Sequence, residues 1–341
     1  MDTGIEEKLK NLFIKAFKEN IIGFEALPTS GSERRYFRIK SVERSIIGAY
    51  NKDKKENSAF ISFTKHFDGL GLNVPSIIAA DSKQSIYLIN DLGDVTLFSQ
   101  LFNEEERLPI SKKTIGYYQQ ALKGLIRFQL EGGKNLDWSV CYPRDSFDGQ
   151  SMQWDLNYFK YYFLKLKNIS FDEQKLEDDF SYLMDYLLKA PSGYFMFRDF
   201  QARNIMIYEN TPWYIDYQGG RKGPLQYDLA SILFQAKADL PFGLREELLG
   251  FYLDGLEKHI KIDRIQFIQF YIGFVLIRTL QVLGAYGFRG YFQRKAHFIE
   301  SIAFAIKNVK WLIEGSGIPI LLPELERVLT IIIEPIGAAH R

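Results

Sequence analysis

Cysteine is almost missing from this chain: the 341 residues hold only Cys141, so no internal disulfide can form. Histidine is nearly as scarce, at His66, His259, His297 and His340, and so wide a spacing gives no reason to expect a zinc site. Neither sign of charge is in excess, with 43 Lys plus Arg against 42 Asp plus Glu and a formal net charge of +1. The global electrostatic case for nucleic acid or a membrane surface as partner is therefore absent, which leaves local basic pockets to consider. Unbroken apolar runs are also lacking. The most apolar stretch, FIQFYIGFVLIRTLQVLGAYGF from Phe267, is interrupted by Gln269, Arg278 and Gln281. It reads as a buried helix, since a membrane span needs roughly 20 nearly uninterrupted apolar residues. The opening MDTGIEEKLKNLF has no basic start followed by an apolar core and is not read as a secretory signal. No repeat or low-complexity segment appears, and a soluble cytoplasmic protein is the expectation.

What is present is a well-packed composition, 46% hydrophobic and 15% aromatic, over a length that suits two lobes. Ile5, Leu9, Leu12, Phe13, Ala16 and Phe17 recur at helical spacing. ALPTSGSERRYFRIK then leads through a small-residue turn into an alternating strand, and SIIGAYN reads as the next. KKENSAFISFTKHFDG is a helix with Glu56 in its first turn; SIIAAD and SIYLIND are two more strands. Residues 1–92 thus predict a small antiparallel sheet with one helix, and the chain leaves it at Asn90-Asp91-Leu92-Gly93. From Val95 the period turns helical, so residues 93–320 predict a large helical lobe; 321–341 form a tail whose LTIIIEPIGAAHR reads as the start of a strand. The fold class expected is α+β, in two lobes.

Inside the helical part, FRDFQARNIMIYENTPWYID breaks the pattern. YFMF, IMIY and WYIDY read as strands, with ENTP as the turn between the last two. Asp199 then falls on a loop, while Asn204 and Asp216 lie near the outer ends of a hairpin. Three oxygen-bearing side chains converging this way suit a hard cation such as magnesium, which shares its ligands with substrate phosphates. The bland reading, three separate turn-forming Asx residues, is poorer because their spacing occurs together with GPLQYDLAS downstream.

A small sheet lobe, a hinge and a helical lobe with Asp-x-x-x-x-Asn followed by Asp resembles the aminoglycoside phosphotransferase and choline kinase-like family, with its bilobal protein-kinase-like fold. Asp199-Phe200-Gln201-Ala202-Arg203-Asn204, Ile215-Asp216-Tyr217-Gln218 and Gly223-Pro224-Leu225-Gln226-Tyr227-Asp228-Leu229-Ala230-Ser231 look most like its bacterial anomeric sugar kinases, which act on N-acetylmuramate and N-acetylglucosamine in cell-wall recycling. The resemblance implies ATP and Mg2+, with Asp199 as catalytic base and Asn204 and Asp216 on the metal. It also implies Gly31 and Ser32 over the phosphates, the backbone of Leu88, Ile89, Asn90 and Asp91 at the adenine, Glu56 in an ion pair, and Asp228 as a structural aspartate, which the residues themselves read as a helix N-cap. Arg203, Arg278, Gln281 and Arg289 are candidates for the acceptor; Arg203 equally reads as the partner of a buried acid, a structural ion pair outweighs substrate contact for Arg278, and Arg289 reads as lying on a loop after the helix, where the glycines of GAYGFRG admit a ligand or only stop the helix. The acceptor implied is a small molecule, an amino sugar, rather than nucleic acid or membrane.

Two departures stand out. Phe197 occupies a position where many relatives carry histidine. SIIGAYN offers no lysine for the α- and β-phosphates, Ala49 being near the expected place; Lys40, Arg38 and Lys52 are the cations nearby. That gap keeps open a nucleotide-binding pseudokinase that serves as sensor or scaffold, and an aminoglycoside- or choline-type kinase is the rival within the enzyme class.

Overall fold

The alternation in RYFRIK and SIIGAY does build a sheet. The computed structural model describes residues 3–28, 34–81, 83, 85–103 and 106–334. In chain order it begins with α1 (Thr3–Phe17), β1 (Gly23–Ala26), β2 (Arg35–Lys40), β3 (Ser45–Tyr50), α2 (Lys54–Gly69), β4 (Ile77–Ala80) and β5 (Ile86–Asn90). The strands form an antiparallel sheet in the order β1-β2-β3-β5-β4. One face closes on α1: Leu9 and Phe13 pack against Phe37, Ile39, Ile46, Ile86 and Leu88, all buried. At roughly 1.5–3 kcal/mol for each large side chain removed from water, that layer fixes the register, because a one-residue slip would turn it outward. Alternation sends Arg34, Tyr36 and Arg38 to the other face. α2 begins where the Asp53 side chain accepts the Lys55 and Glu56 backbone N–H groups, and it buries Phe60, Phe63 and Phe67.

β6 (Phe102–Asn103), β7 (Glu106–Arg107) and α3 (Lys112–Arg127) follow, then α4 (Gly149–Phe159), α5 (Glu173–Leu187), β8 (Tyr194–Met196), the hairpin β9 (Ile205–Tyr208) and β10 (Thr211–Tyr214), and β11 (Arg221–Gly223). The rest is helical: α6 (Leu225–Leu233), α7 (Phe242–Leu256), α8 (Arg264–Tyr286), α9 (Ala296–Lys310) and α10 (Pro323–Ile333). By contacts the chain divides into a first unit, Met1–Asp145 with Phe197–Arg221, and a second, Ser146–Met196 with Lys222–Arg341. The β9–β10 hairpin belongs to the first. This is the α+β architecture expected, with a small antiparallel sheet and helices predominating.

Two expectations need correction. The tail does not begin a strand: Pro323 starts a helix, Glu324 and Glu326 sit in its first turn, and Leu325, Val328, Leu329 and Ile332 are buried at helical spacing. Asp179 of α5 accepts the Leu325 N–H (2.8 Å), and Glu324 accepts that of Asp172 (2.7 Å), which ties α10 into the second unit. The β-branched run in LTIIIE suggested a strand by propensity, and tertiary packing overrode it. The second correction concerns GAYGFRG. Arg289 lies not on a loop but on a π-turn, Gly287–Phe292, that prolongs α8. Its glycines do not stop the helix; a Cβ on Gly284 would stand 2.7 Å from Phe159 N and one on Gly287 2.0 Å from Tyr162 O. They let α8 and the end of α4 touch backbone to backbone.

The stretch Arg264–Phe292 is the one helix among the described residues long and apolar enough to cross a membrane; 72% of its apolar window is buried inside the protein. That burial fits the core-helix reading.

Candidate active site

The hairpin that carries Asn204 and Asp216 turns at Glu209 and Asn210, both with positive φ (49° and 58°). That is the twist a two-residue connection needs, and asparagine tolerates it. The turn joins Tyr208 to Thr211 and sets Ile205 opposite Tyr214, so the residues flanking each strand, Asn204 and Asp216, are brought near each other. A 3₁₀ turn, Ala202–Asn204, precedes β9. The hairpin is seated within the first unit: the Leu97 N–H donates to Ile205 O (2.7 Å), Ile207 N–H to Val95 O (2.8 Å) and Tyr214 N–H to Asn73 O (2.8 Å). Tyr217 stacks on Phe60 at 5.1 Å, and its hydroxyl lies 2.6 Å from the Thr64 hydroxyl of α2.

Asn204 is the hub. Its side-chain N–H₂ donates to the backbone carbonyl of Asp199 (2.9 Å) and to the Asp216 carboxylate (3.1 Å). Both of its donors are thus spent, and the carboxamide oxygen is the group that remains for a cation. Gln218 donates to the second Asp216 oxygen (2.8 Å). Burial pushes the Asp216 carboxyl up from its ordinary range, against Gln218's hydrogen bond; the negative charge of Asp199 adds to the rise, while Arg34 and Arg203 oppose it. Two carboxylates that repel in a partly dry site are a natural seat for positive charge.

Asp216 also lines a cavity of about 180 Å³ in the first unit, whose walls include Tyr36, Ile47, Phe60, Met206 and the segment from Ile89 to Gly93. Apolar walls with few polar groups suit a flat heterocycle. Of the four residues expected at the adenine, Ile89, Asn90 and Asp91 line the cavity, whereas Leu88 turns its side chain into the α1 layer. The Asp91 carboxylate is engaged elsewhere, by Arg38 (2.7 Å), Ser45 and the Gly93 N–H. Burial alone would raise its pKa, but these donors hold it below the usual range. Arg38 also bonds Asp94 (2.7 Å). Of the nearby cations considered for the missing lysine, Arg38 therefore secures the hinge instead, while Lys40 and Lys52 are exposed.

The cation that does meet Glu56 is Arg34, which the sequence reading did not single out. Its guanidinium lies 3.4 Å from the Glu56 carboxylate, with a side chain only 1% exposed. It bonds the Tyr36 hydroxyl at 3.5 Å and lies 5.7 Å from the centre of the Phe60 ring. One signal was available: in RRYFRIK, alternation puts residues 34, 36 and 38 on one face. Asn51 completes the holding of Glu56 through a hydrogen bond to its other oxygen.

The remaining candidates are dispersed. Gly31 and Ser32 lie outside the described residues. Arg203 is exposed, and its positive charge acts on the buried Asp216 carboxyl. In the second unit Arg278, 4% exposed, donates to Gln281 and lies 5.8 Å from the Tyr227 ring centre. Arg289 is 5.2 Å from the Phe298 ring centre. Asp228 is fully buried but does not cap α6, which starts three residues earlier after Pro224. Phe197 packs among Phe128, Phe200, Tyr214 and Tyr217 with ring centres 4.8–6.4 Å away. Phe197→His is expected to destabilise the protein by about 1–3 kcal/mol, the penalty for a polar ring among aromatics. Denaturant titration checks this; an unchanged midpoint would refute it.

The chain matches the phosphotransferase enzyme family over residues 24–267. It is 25% identical to the N-acetylmuramate/N-acetylglucosamine kinase of Neisseria meningitidis serogroup B over 234 residues, 67% of this chain and 66% of that protein. The protein of that name from Pseudomonas aeruginosa is 25% identical over 249 residues, 71% of this chain and 69% of its own length. The matched region thus spans about two thirds of these relatives. Among solved structures, choline kinase from Cryptosporidium parvum Iowa II superposes with a TM-score of 0.61 at 14% identity, covering 97% of this chain and all of that one. Likeness at that identity concerns the fold, which is that of the protein-kinase-like phosphotransferases.

Proposed function

The chain belongs to the phosphotransferase enzyme family, and from that premise we propose that it is an ATP- and Mg2+-dependent small-molecule kinase. It transfers the γ-phosphoryl group of ATP to a sugar hydroxyl, the anomeric hydroxyl of an N-acetylated amino sugar, in the cytoplasm. The products are ADP and the sugar 1-phosphate. The observation that carries the reading is Asn204, whose two donors tie the backbone of Asp199 to the carboxylate of Asp216 at the edge of the cavity.

In this reading Asp199 orients the acceptor hydroxyl and takes its proton as the oxygen attacks phosphorus. Its loop is fixed through its backbone carbonyl, which accepts from Asn204. Asn204 and Asp216 would hold magnesium by the carboxamide oxygen and the carboxylate. One carboxylate plus one amide is the donor number that suits a cation taking its other oxygens from phosphates and water, whose charge it would neutralise. The segment Ile89–Gly93 and the apolar walls receive the adenine. The shared name of the N. meningitidis and P. aeruginosa relatives supports the amino-sugar acceptor.

Purified protein supplied with ATP, Mg2+ and separate acceptors (N-acetylglucosamine, N-acetylmuramate, kanamycin, choline) tests this. ADP release with an amino sugar, and a phosphorus NMR signal at C1, are expected. Turnover of choline or kanamycin alone would replace the acceptor assignment; nucleotide binding without turnover of any acceptor would favour the sensor reading.

The raised pKa of Asp216 adds a pH prediction. Only the deprotonated carboxylate ligates a metal, so Mg2+ binding weakens as pH falls toward that pKa. The extra thermal stabilisation that Mg2+ gives over ADP alone should therefore be full near neutrality and shrink at a pH above the ordinary aspartate value of about 3.9. Constancy of that increment down to about pH 4 would contradict the assignment.

A further inference from the structure

The strand that should carry the phosphate lysine, SIIGAY, has none, and Ala49 there is fully buried. β2 lies beside it, with Tyr36 opposite Ala49 and Arg35 opposite Tyr50. Arg34, the residue that enters β2, reaches the same region from the neighbouring strand. Its guanidinium is beside two residues of the cavity wall, Tyr36 by a hydrogen bond and Phe60 by its ring, and its charge favours the ionised form of a third, Asp216. Glu56 of α2 steadies it from behind. Buried and held on several sides, it is a preorganised charge in a medium of low dielectric, where its effect on an anion is much greater than in water.

We propose that Arg34 is the nucleotide's phosphate-binding cation, transplanted from β3 to the start of β2, with Glu56 as its positioning residue. The inference rests on the kinase reading above and adds to it the group that grips the diphosphate. A guanidinium there offers a planar fork for two phosphate oxygens, where a lysine offers a point charge. The same placement also explains why Glu56 is present without a strand lysine to pair with.

Binding of ADP and of adenosine, compared by calorimetry in the wild type, Arg34→Gln and Arg34→Lys, separates a phosphate contact from a purely structural role. The wild type should prefer ADP. Arg34→Gln should weaken ADP by about 10- to 100-fold, the range for loss of charged hydrogen bonds, and leave adenosine within about twofold, since adenosine carries no phosphate for a guanidinium to bind. Arg34→Lys should fall between. Equal weakening of both ligands, or an unchanged ADP preference in Arg34→Gln, would overturn the proposal. If Arg34→Gln does not fold, Arg34→Lys decides: its ADP-to-adenosine ratio must drop by at least about threefold, because a point charge does not replace a bidentate fork. A wild type that binds neither ligand would sink the kinase reading itself, a result distinct from either outcome for Arg34.

Discussion

Asp199→Ala is expected to lower kcat by about two to four orders of magnitude, the range for loss of a positioned acid–base group, with nearly unchanged affinity for ADP. The loop around Asp199 is held by its backbone carbonyl, which Asn204 keeps whatever side chain stands there. Removal of the carboxylate also relieves the repulsion that raises the Asp216 pKa. Turnover should therefore collapse, and a thermal scan beside steady-state kinetics separates that loss from any change in stability. Full activity in Asp199→Ala would end its assignment as base. A fall in activity that tracks a fall in stability would show that the residue supports the loop instead.

The second large effect concerns folding. Gly287→Val should destabilise the second unit by about 4 kcal/mol, at the upper end for overpacking. A Cβ at that position would meet the Tyr162 carbonyl oxygen at 2.0 Å, and the obstacle is backbone, which has no rotamer to change. The two helical segments must separate, opening the aromatic layer in which Phe288 packs against Tyr158 and Tyr162 with ring centres 5.9 and 4.9 Å away. A fall in Tm of about 10 °C follows for a unit of this size. Gly243→Val, in α7, is the control, because a Cβ there meets nothing within 4 Å. Equal shifts in the two variants would mean that helix propensity, not the close approach, is at stake.

These two positions differ in how well the sequence announced them. Asp199, Asn204 and Asp216 were legible because strand–turn–strand punctuation is local: IMIY, the ENTP turn and WYID fix the hairpin without help from distant residues. Most helices were legible for the same reason, since the apolar period of α2, α3, α5 and α9 survives intact into the buried faces. Gly287 was misread because a glycine that ends a helix and one that admits a neighbouring backbone look alike until the neighbour is known. α10 was misread because its β-branched run satisfies strand propensity, while the helical spacing of Leu325, Val328, Leu329 and Ile332 started upstream. Arg34 is harder to read from sequence than Arg38 or Lys40 on the same strand, because it precedes β2 and its pairing with Glu56 of α2 depends on a contact between distant residues.

The division of the chain into units bears on how such a protein changes over time. Asp199, Asn204, Asp216, Arg34, Glu56 and the Ile89–Gly93 segment all belong to the first unit, whereas Arg278, Gln281 and Arg289 belong to the second. On the proposed roles, three of the four acceptor candidates stand in a unit with none of the proposed nucleotide-handling groups, and Arg203 stands in the other. A lineage can then drift from one sugar to another without relearning phosphoryl transfer, and a laboratory selection for a new acceptor has a natural place to put its library.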